Sequence, residues 1–194
     1  MLRWCINHMT APRTLKHIHD DLKKKFPDKN LLPGHGHAQA HIVLVSGAPG
    51  PDEEKSKKPL AGKHGQLLNQ LLKAAGIDKR KVYITNTIKH RLDSAIATPT
   101  KEIRAHAAFL KEELRTINPR VVITLGDLAL SGMGFRQPLH NVHGKTFAFG
   151  AYELVPTFHP TAALGDPHIK ELIQADFIKV KDLLKINKEK AAAL

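Results

Sequence analysis

Cysteine is nearly missing from this chain: Cys5 is the single one among 194 residues, so no internal disulfide can form. That usage fits a reducing compartment, and a cytoplasmic location is expected. Long apolar runs are missing as well. None approaches the roughly 18 residues that a membrane-spanning helix needs, so no membrane partner is expected. The phosphate-binding signatures G-x-x-x-x-G-K-[ST] and G-x-G-x-x-G after a strand do not occur, which argues against an ATPase or a dehydrogenase. Nor is there an internal repeat. Acidic residues are the last scarcity: 18 Asp and Glu stand against 30 Lys and Arg, a formal net charge of +12. A polyanion is the natural partner for such a chain, and nucleic acid is the commonest polyanion.

What remains is the composition of a soluble globular domain, 42% hydrophobic and 25% charged, at a length suited to one domain with a substantial core. The expected division is an N-terminal extension with a short helix over residues 1–33, a globular domain over 34–186 and a frayed tail over 187–194. The first residues lack the apolar core of a secretory signal and read as a ragged extension, with Met9 as an alternative start.

The chain is organised around Ile42 to Glu54. Ile42 to Val45 reads as a strand buried on both faces. It breaks into Gly47-Ala48-Pro49-Gly50, a backbone able to turn tightly and approach a ligand, and then into Asp52, Glu53 and Glu54. A helix begins near Gly62, with Leu67, Leu68, Leu71, Leu72 and Ala75 on one stripe and Gly76 as its stop. Lys81 to Asn86 is a second strand. Thr98 caps a helix with Pro99 at its first position, and Ile103, Ala107, Leu110, Leu114 and Ile117 follow at helical spacing. Val121 to Leu125 and Tyr152 to Phe158 are the third and fourth strands. Phe135 to Gly150 reads as a hairpin or long loop. The last helix starts near Pro167. Strands alternating with helices predict a three-layer α/β/α sandwich with a central, mostly parallel four-stranded sheet.

In that layout the carboxyl ends of the strands face one way and bring together the Gly47–Glu54 loop, Asn86 and His159. An Asn there can both donate and accept, which suits the edge of a nucleobase. A His can donate to a developing anion.

Four blocks carry a resemblance. They are Gly47 to Glu54, Pro59-Leu60-Ala61-Gly62-Lys63-His64-Gly65-Gln66-Leu67-Leu68, Val82 to Arg91, and Pro156-Thr157-Phe158-His159-Pro160-Thr161-Ala162-Ala163-Leu164. In order and spacing they resemble the signature blocks of the family 4 uracil-DNA glycosylases, and Glu102-Ile103, Phe109-Leu110 and Pro119 to Ala129 fit the intervening ones. The resemblance implies a uracil-DNA glycosylase-like fold and a base excision repair enzyme that flips deoxyuridine out of DNA and hydrolyses its N-glycosidic bond. It implies that Asn86 reads the uracil amide edge and that His159 donates towards O2 of the departing base. Gly47, Ala48 and Pro49 would shape the pocket floor. Pro160, Thr161 and Leu164 would meet DNA, with Leu164 as an apolar wedge. Lys89, Arg91 and Lys145 are the expected phosphate contacts. The partner is then uracil-containing DNA, met by a monomer in the cytoplasm at the nucleoid.

The departures from that family are specific. Gly47 stands where the family has a water-activating Glu. Glu53 is the nearest candidate replacement, with turn capping as its other role. Leu60 stands where the family stacks uracil on Phe, giving contact area but no π face. Such features leave two further readings open: a protein that binds a damaged base without cleaving it, and a glycosylase for another deaminated base such as hypoxanthine. The family also holds an iron–sulfur cluster on four cysteines, two of whose positions fall at His90 and His106 here. Cys5 cannot hold a cluster unaided, so no cofactor is expected. His19, His90 and His106 are a conceivable zinc set, but with 13 histidines in the chain the preferred reading is that polar residues simply fill the vacated space.

Overall fold

The computed structural model describes residues 13–92 and 99–192, with side chains through 185. Cys5 and Thr98, with its capping role, lie outside the described residues. Six strands, β1 (His35–Gly36), β2 (Ile42–Ser46), β3 (Val82–Asn86), β4 (Val121–Leu125), β5 (Phe147–Phe149) and β6 (Tyr152–Thr157), form one sheet in the order β1-β3-β2-β4-β6-β5. The helices are α1 (Leu15–Lys25), α2 (Pro51–Ser56), α3 (Gly62–Ala74), α4 (Thr100–Ile117), α5 (Asp127–Gly132), α6 (Leu139–Val142) and α7 (Pro167–Ala192).

Period-two alternation builds the two faces of the sheet. Ile42 and Leu44 of β2 join Ile84, Ile123 and Val155 in a core closed by Leu68, Leu71 and Leu72 of α3 and Ile173, Phe177 and Val180 of α7. Val43 and Val45 join Val122 and Leu154 in a second core, closed by Leu110, Leu114 and Ile117 of α4 and by Ala129 of α5. The result is the three-layer sandwich the sequence predicts.

The sheet is larger than the four expected strands. Those four, β2, β3, β4 and β6, run parallel. Each edge carries one short antiparallel strand, β1 on β3 and β5 on β6. β1 is two residues long, too short for periodicity to reveal. Its pairing depends on Gly36, which has φ +134° and where a Cβ would sit 2.3 Å from the Val82 carbonyl oxygen. The segment Phe135–Gly150, expected as a hairpin or long loop, instead holds α6 and β5, and β5 pairs antiparallel with the expected fourth strand, β6. Helix α7 runs through Ala192, into the stretch expected to be a frayed tail. Among the described residues no helix is long and apolar enough to cross a membrane.

Candidate active site

The parallel strands end together, and a cavity of about 350 Å³ opens there between the Ser46–Ala48 backbone, Gly126 to Leu128, Leu139, Phe158 and His159. β6 ends at Thr157, and His159 then caps a 3-10 turn over Pro160–Leu164. The cap fixes the imidazole's chemistry. A backbone N–H can only donate, so Thr161 N–H, 3.2 Å from Nδ1, makes that nitrogen the acceptor. The Thr161 hydroxyl lies 2.5 Å from the same atom. The ring proton therefore sits on Nε2, which donates across 3.2 Å to Ser46 Oγ. Burial pushes the His159 pKa down to about 4, helped by the neighbouring His64, whose ring centre lies 6.1 Å away. At neutral pH the site thus presents an uncharged N–H donor. Ser46 and His64 were not singled out from sequence; the first is hidden in an apolar strand and the second in a helix start.

Ser46 is the parallel register partner of Asn86. Asn86 is buried, and neither Nδ2 nor Oδ1 has a hydrogen-bond partner among the described residues. An unmade buried amide bond costs about 1–3 kcal/mol. A ligand with a complementary donor–acceptor edge would recover that cost. The amide is covered rather than open to the cavity, so such a ligand must displace its cover.

Four positions in and after the glycine loop are fixed by their packing. A Cβ at Gly47 would sit 2.8 Å from Leu128 Cδ2 and 3.0 Å from its Cβ, so Leu128 occupies the space a side chain at 47 would need. Leu60 does not reach the cavity; its side chain is buried in the core beneath α3. Pro49 is buried as well. Glu53 is a capping residue: one carboxylate oxygen accepts the Gly50 N–H at 2.6 Å and the other accepts the Leu60 N–H. Those bonds hold Leu60 in its left-handed conformation, φ +50°. Asp127, at the start of α5, is the carboxylate that lines the cavity.

Of the expected DNA contacts, Arg91, Lys145 and Thr161 are exposed and Leu164 is 51% exposed on its turn. Pro160 is buried and shapes the turn instead of meeting a ligand. Lys89 is a correction of a different kind. It is fully buried, with Nζ 2.5 Å from Glu113 Oε2 and a further bond to Thr85, so it cannot touch phosphate. Burial works against the Glu113 charge, but Lys89, His19 and Thr85 together hold its carboxyl below the usual range. A lysine within two residues of a loop reads as surface in sequence; its apolar neighbour Ile88, fully buried, was the overlooked sign.

The four-thiolate cluster does not fit the residues present. His90 and His106 offer imidazoles, and His19 points to Glu113 at 3.3 Å and does not join them. Glu102 does, with Oε2 3.1 Å from His90 Nε2.

Comparison with known proteins agrees with this geometry. A family model described as the uracil DNA glycosylase superfamily matches residues 33–180. A Type-4 uracil-DNA glycosylase of Sulfurisphaera tokodaii is 33% identical over 164 residues, covering 79% of this chain and 74% of that protein. The Type-4 uracil-DNA glycosylase of Saccharolobus solfataricus is 33% identical, covering 80% and 77%. That of Thermotoga maritima is 34% identical, covering 80% and 84%.

Proposed function

The chain belongs to the uracil DNA glycosylase superfamily, and from that premise we propose that it is a DNA repair enzyme that hydrolyses deoxyuridine in DNA, releasing uracil and leaving an abasic site. The observation that carries this reading is the neutral His159, with its Nε2–H aimed at the strand-end cavity beside Ser46 and the unpartnered Asn86.

Breaking the C1′–N1 bond sends its electron pair to the base, and the charge spreads to the uracil oxygens. A donor already in place there stabilises that charge without reorganising. His159 is the donor here, its Nε2–H passing from Ser46 Oγ to the base oxygen. Being uncharged with a low pKa, it stabilises the anion by a hydrogen bond and keeps its proton. Asn86 matches uracil by accepting from N3–H and donating to O4. Water then adds to C1′. With Gly47 carrying no carboxylate and both oxygens of Glu53 engaged by backbone amides, Asp127 is the base in reach of the cavity.

Arg91, Lys145 and Thr161 meet the DNA backbone, and Leu164 fills the space a flipped base leaves. Leu164 and Ile178 are the exposed large hydrophobics among the described residues. Two such residues are fewer than a stable dimer interface uses, which supports a monomer, and the proposed DNA substrate places its work at the nucleoid. A second reading rests on Leu128 in the place of a side chain at 47: binding of a damaged base with little or no cleavage, or excision of another deaminated base. Labelled oligonucleotides bearing one uracil or one hypoxanthine, followed by alkaline cleavage at abasic sites, separate these. Strand cleavage at uracil supports the proposal. Cleavage at hypoxanthine alone, or binding without cleavage, overturns it.

A further inference from the structure

We propose that His90, Glu102 and His106 bind one divalent transition-metal ion, with zinc the best match to the ligand set. His90 Nδ1 lies 2.9 Å from the Arg91 carbonyl oxygen, and His106 Nδ1 lies 2.9 Å from the Glu102 carbonyl oxygen. A carbonyl only accepts, so both rings carry hydrogen on Nδ1, and in the neutral form each keeps its lone pair on Nε2. The lone pair of His90 then faces the carboxylate of Glu102 at 3.1 Å. His106 Nε2 is buried with no hydrogen-bond partner among the described residues. In that neutral form three electron-pair donors converge, and one ligand atom of each lies within 4.8 Å of the others. A cation at the centre removes that repulsion and satisfies His106 Nε2.

The surroundings are those of a metal site. Imidazoles held through Nδ1–H by backbone carbonyls have the orientation that metal-bound histidines use. Glu102 and His106 are four residues apart, hence on one face of α4. Phe26 stacks on His106 with ring centres 4.3 Å apart, walling the inner side with apolar surface. Glu102 is partly exposed, which leaves an entry path and room for water as a fourth ligand. Two imidazoles and a carboxylate at about 2.0–2.2 Å from the ion are a familiar zinc set. The ion would tie α4 to the segment that follows β3, four residues beyond Asn86. This is a structural role, independent of the excision reading.

The test uses the full chain, purified without a histidine tag and without chelators. Elemental analysis should find about one zinc per chain. Melting temperature should rise with added zinc and fall with EDTA. Cobalt substitution should give the visible bands of a tetrahedral ion. Glu102→Gln preserves a polar partner for His90 but removes the charge, and should lower zinc affinity about 10–100-fold. His90→Ala should abolish stoichiometric binding. A chain that takes up no zinc at micromolar concentration and melts alike with zinc and EDTA would overturn the proposal, leaving the contact between His90 and Glu102 an ordinary hydrogen bond. Zinc retained undiminished by both variants would place the ion elsewhere among the 13 histidines and overturn it equally.

Discussion

His159 Nε2 and Ser46 Oγ lie 3.2 Å apart, joining residues 113 positions distant where β6 and β2 end. Because Nδ1 is engaged by Thr161, the imidazole can only donate into the cavity. Its pKa of about 4 has consequences at two levels. Excision should show no inflection from His159 near pH 6.5, and an NMR titration should find this ring neutral down to about pH 4. For stability the sign follows from the proton count. Between the unfolded value near 6.5 and the folded value near 4, the unfolded chain binds the proton and the folded chain does not. The contribution of His159 is therefore complete above about pH 6.5 and lost as pH falls. His159→Gln should flatten that part of the urea-midpoint profile. An unchanged slope, or a ring titrating near 6.5, would contradict the assignment.

The buried pair of Lys89 and Glu113 separates stability from DNA contact. Lys89→Ala removes the buried cation from Glu113, leaving it Thr85 and His19, and should cost about 3–5 kcal/mol by urea unfolding. At a temperature where the variant stays folded, its DNA affinity should keep the same salt dependence. Arg91→Ala and Lys145→Ala should do the opposite: little change in stability, and a log–log salt slope shallower by about 1 each. A reduced slope for Lys89→Ala would return that residue to the surface.

Asn86 should discriminate uracil from cytosine. Asn86→Asp presents a different donor–acceptor edge, and should lower uracil excision and admit cytosine. Uracil excision unaffected by the change would make Asn86 a strand-end residue with no part in recognition.

Two acids near the site should respond unequally. Asp127→Asn, which removes the cavity-lining base, should slow single-turnover excision about 10²–10⁴-fold. Glu53→Gln loses a cap acceptor and should alter the rate by less than about tenfold, since its oxygens already face Gly50 and Leu60 amides. The reverse ranking would assign water activation to Glu53.

The sequence discloses the parts of this molecule that depend on periodicity. Alternating Ile42, Val43, Leu44 and Val45, and the helical stripe through Leu67 to Leu72, are enough to lay out both cores, because burial on a strand or helix repeats along the chain. The convergence of Gly47, Asn86 and His159 at one end follows from parallel strands alone. What is not legible depends on contacts distant in sequence. Lys89 is basic in a basic chain, and only the approach of Glu113 on α4 shows it to be an interior charge. Glu53 is an acid in a candidate loop until Leu60 folds back onto it. Glu102 joins His90 and His106 because α4 crosses the end of β3, while His19 is claimed by Glu113 first. Two-residue β1 has no period to detect.

Single-turnover uracil excision by the wild-type chain and by His159→Ala, on a single-stranded oligonucleotide bearing one uracil, addresses the active site most directly. The wild type should convert the substrate to an abasic product, and His159→Ala should be slower by at least about a hundredfold, the effect of losing one donor at the developing anion. Equal rates for the two proteins, or no uracil released by the wild type while it binds the uracil-bearing strand tightly, would contradict catalysis through His159.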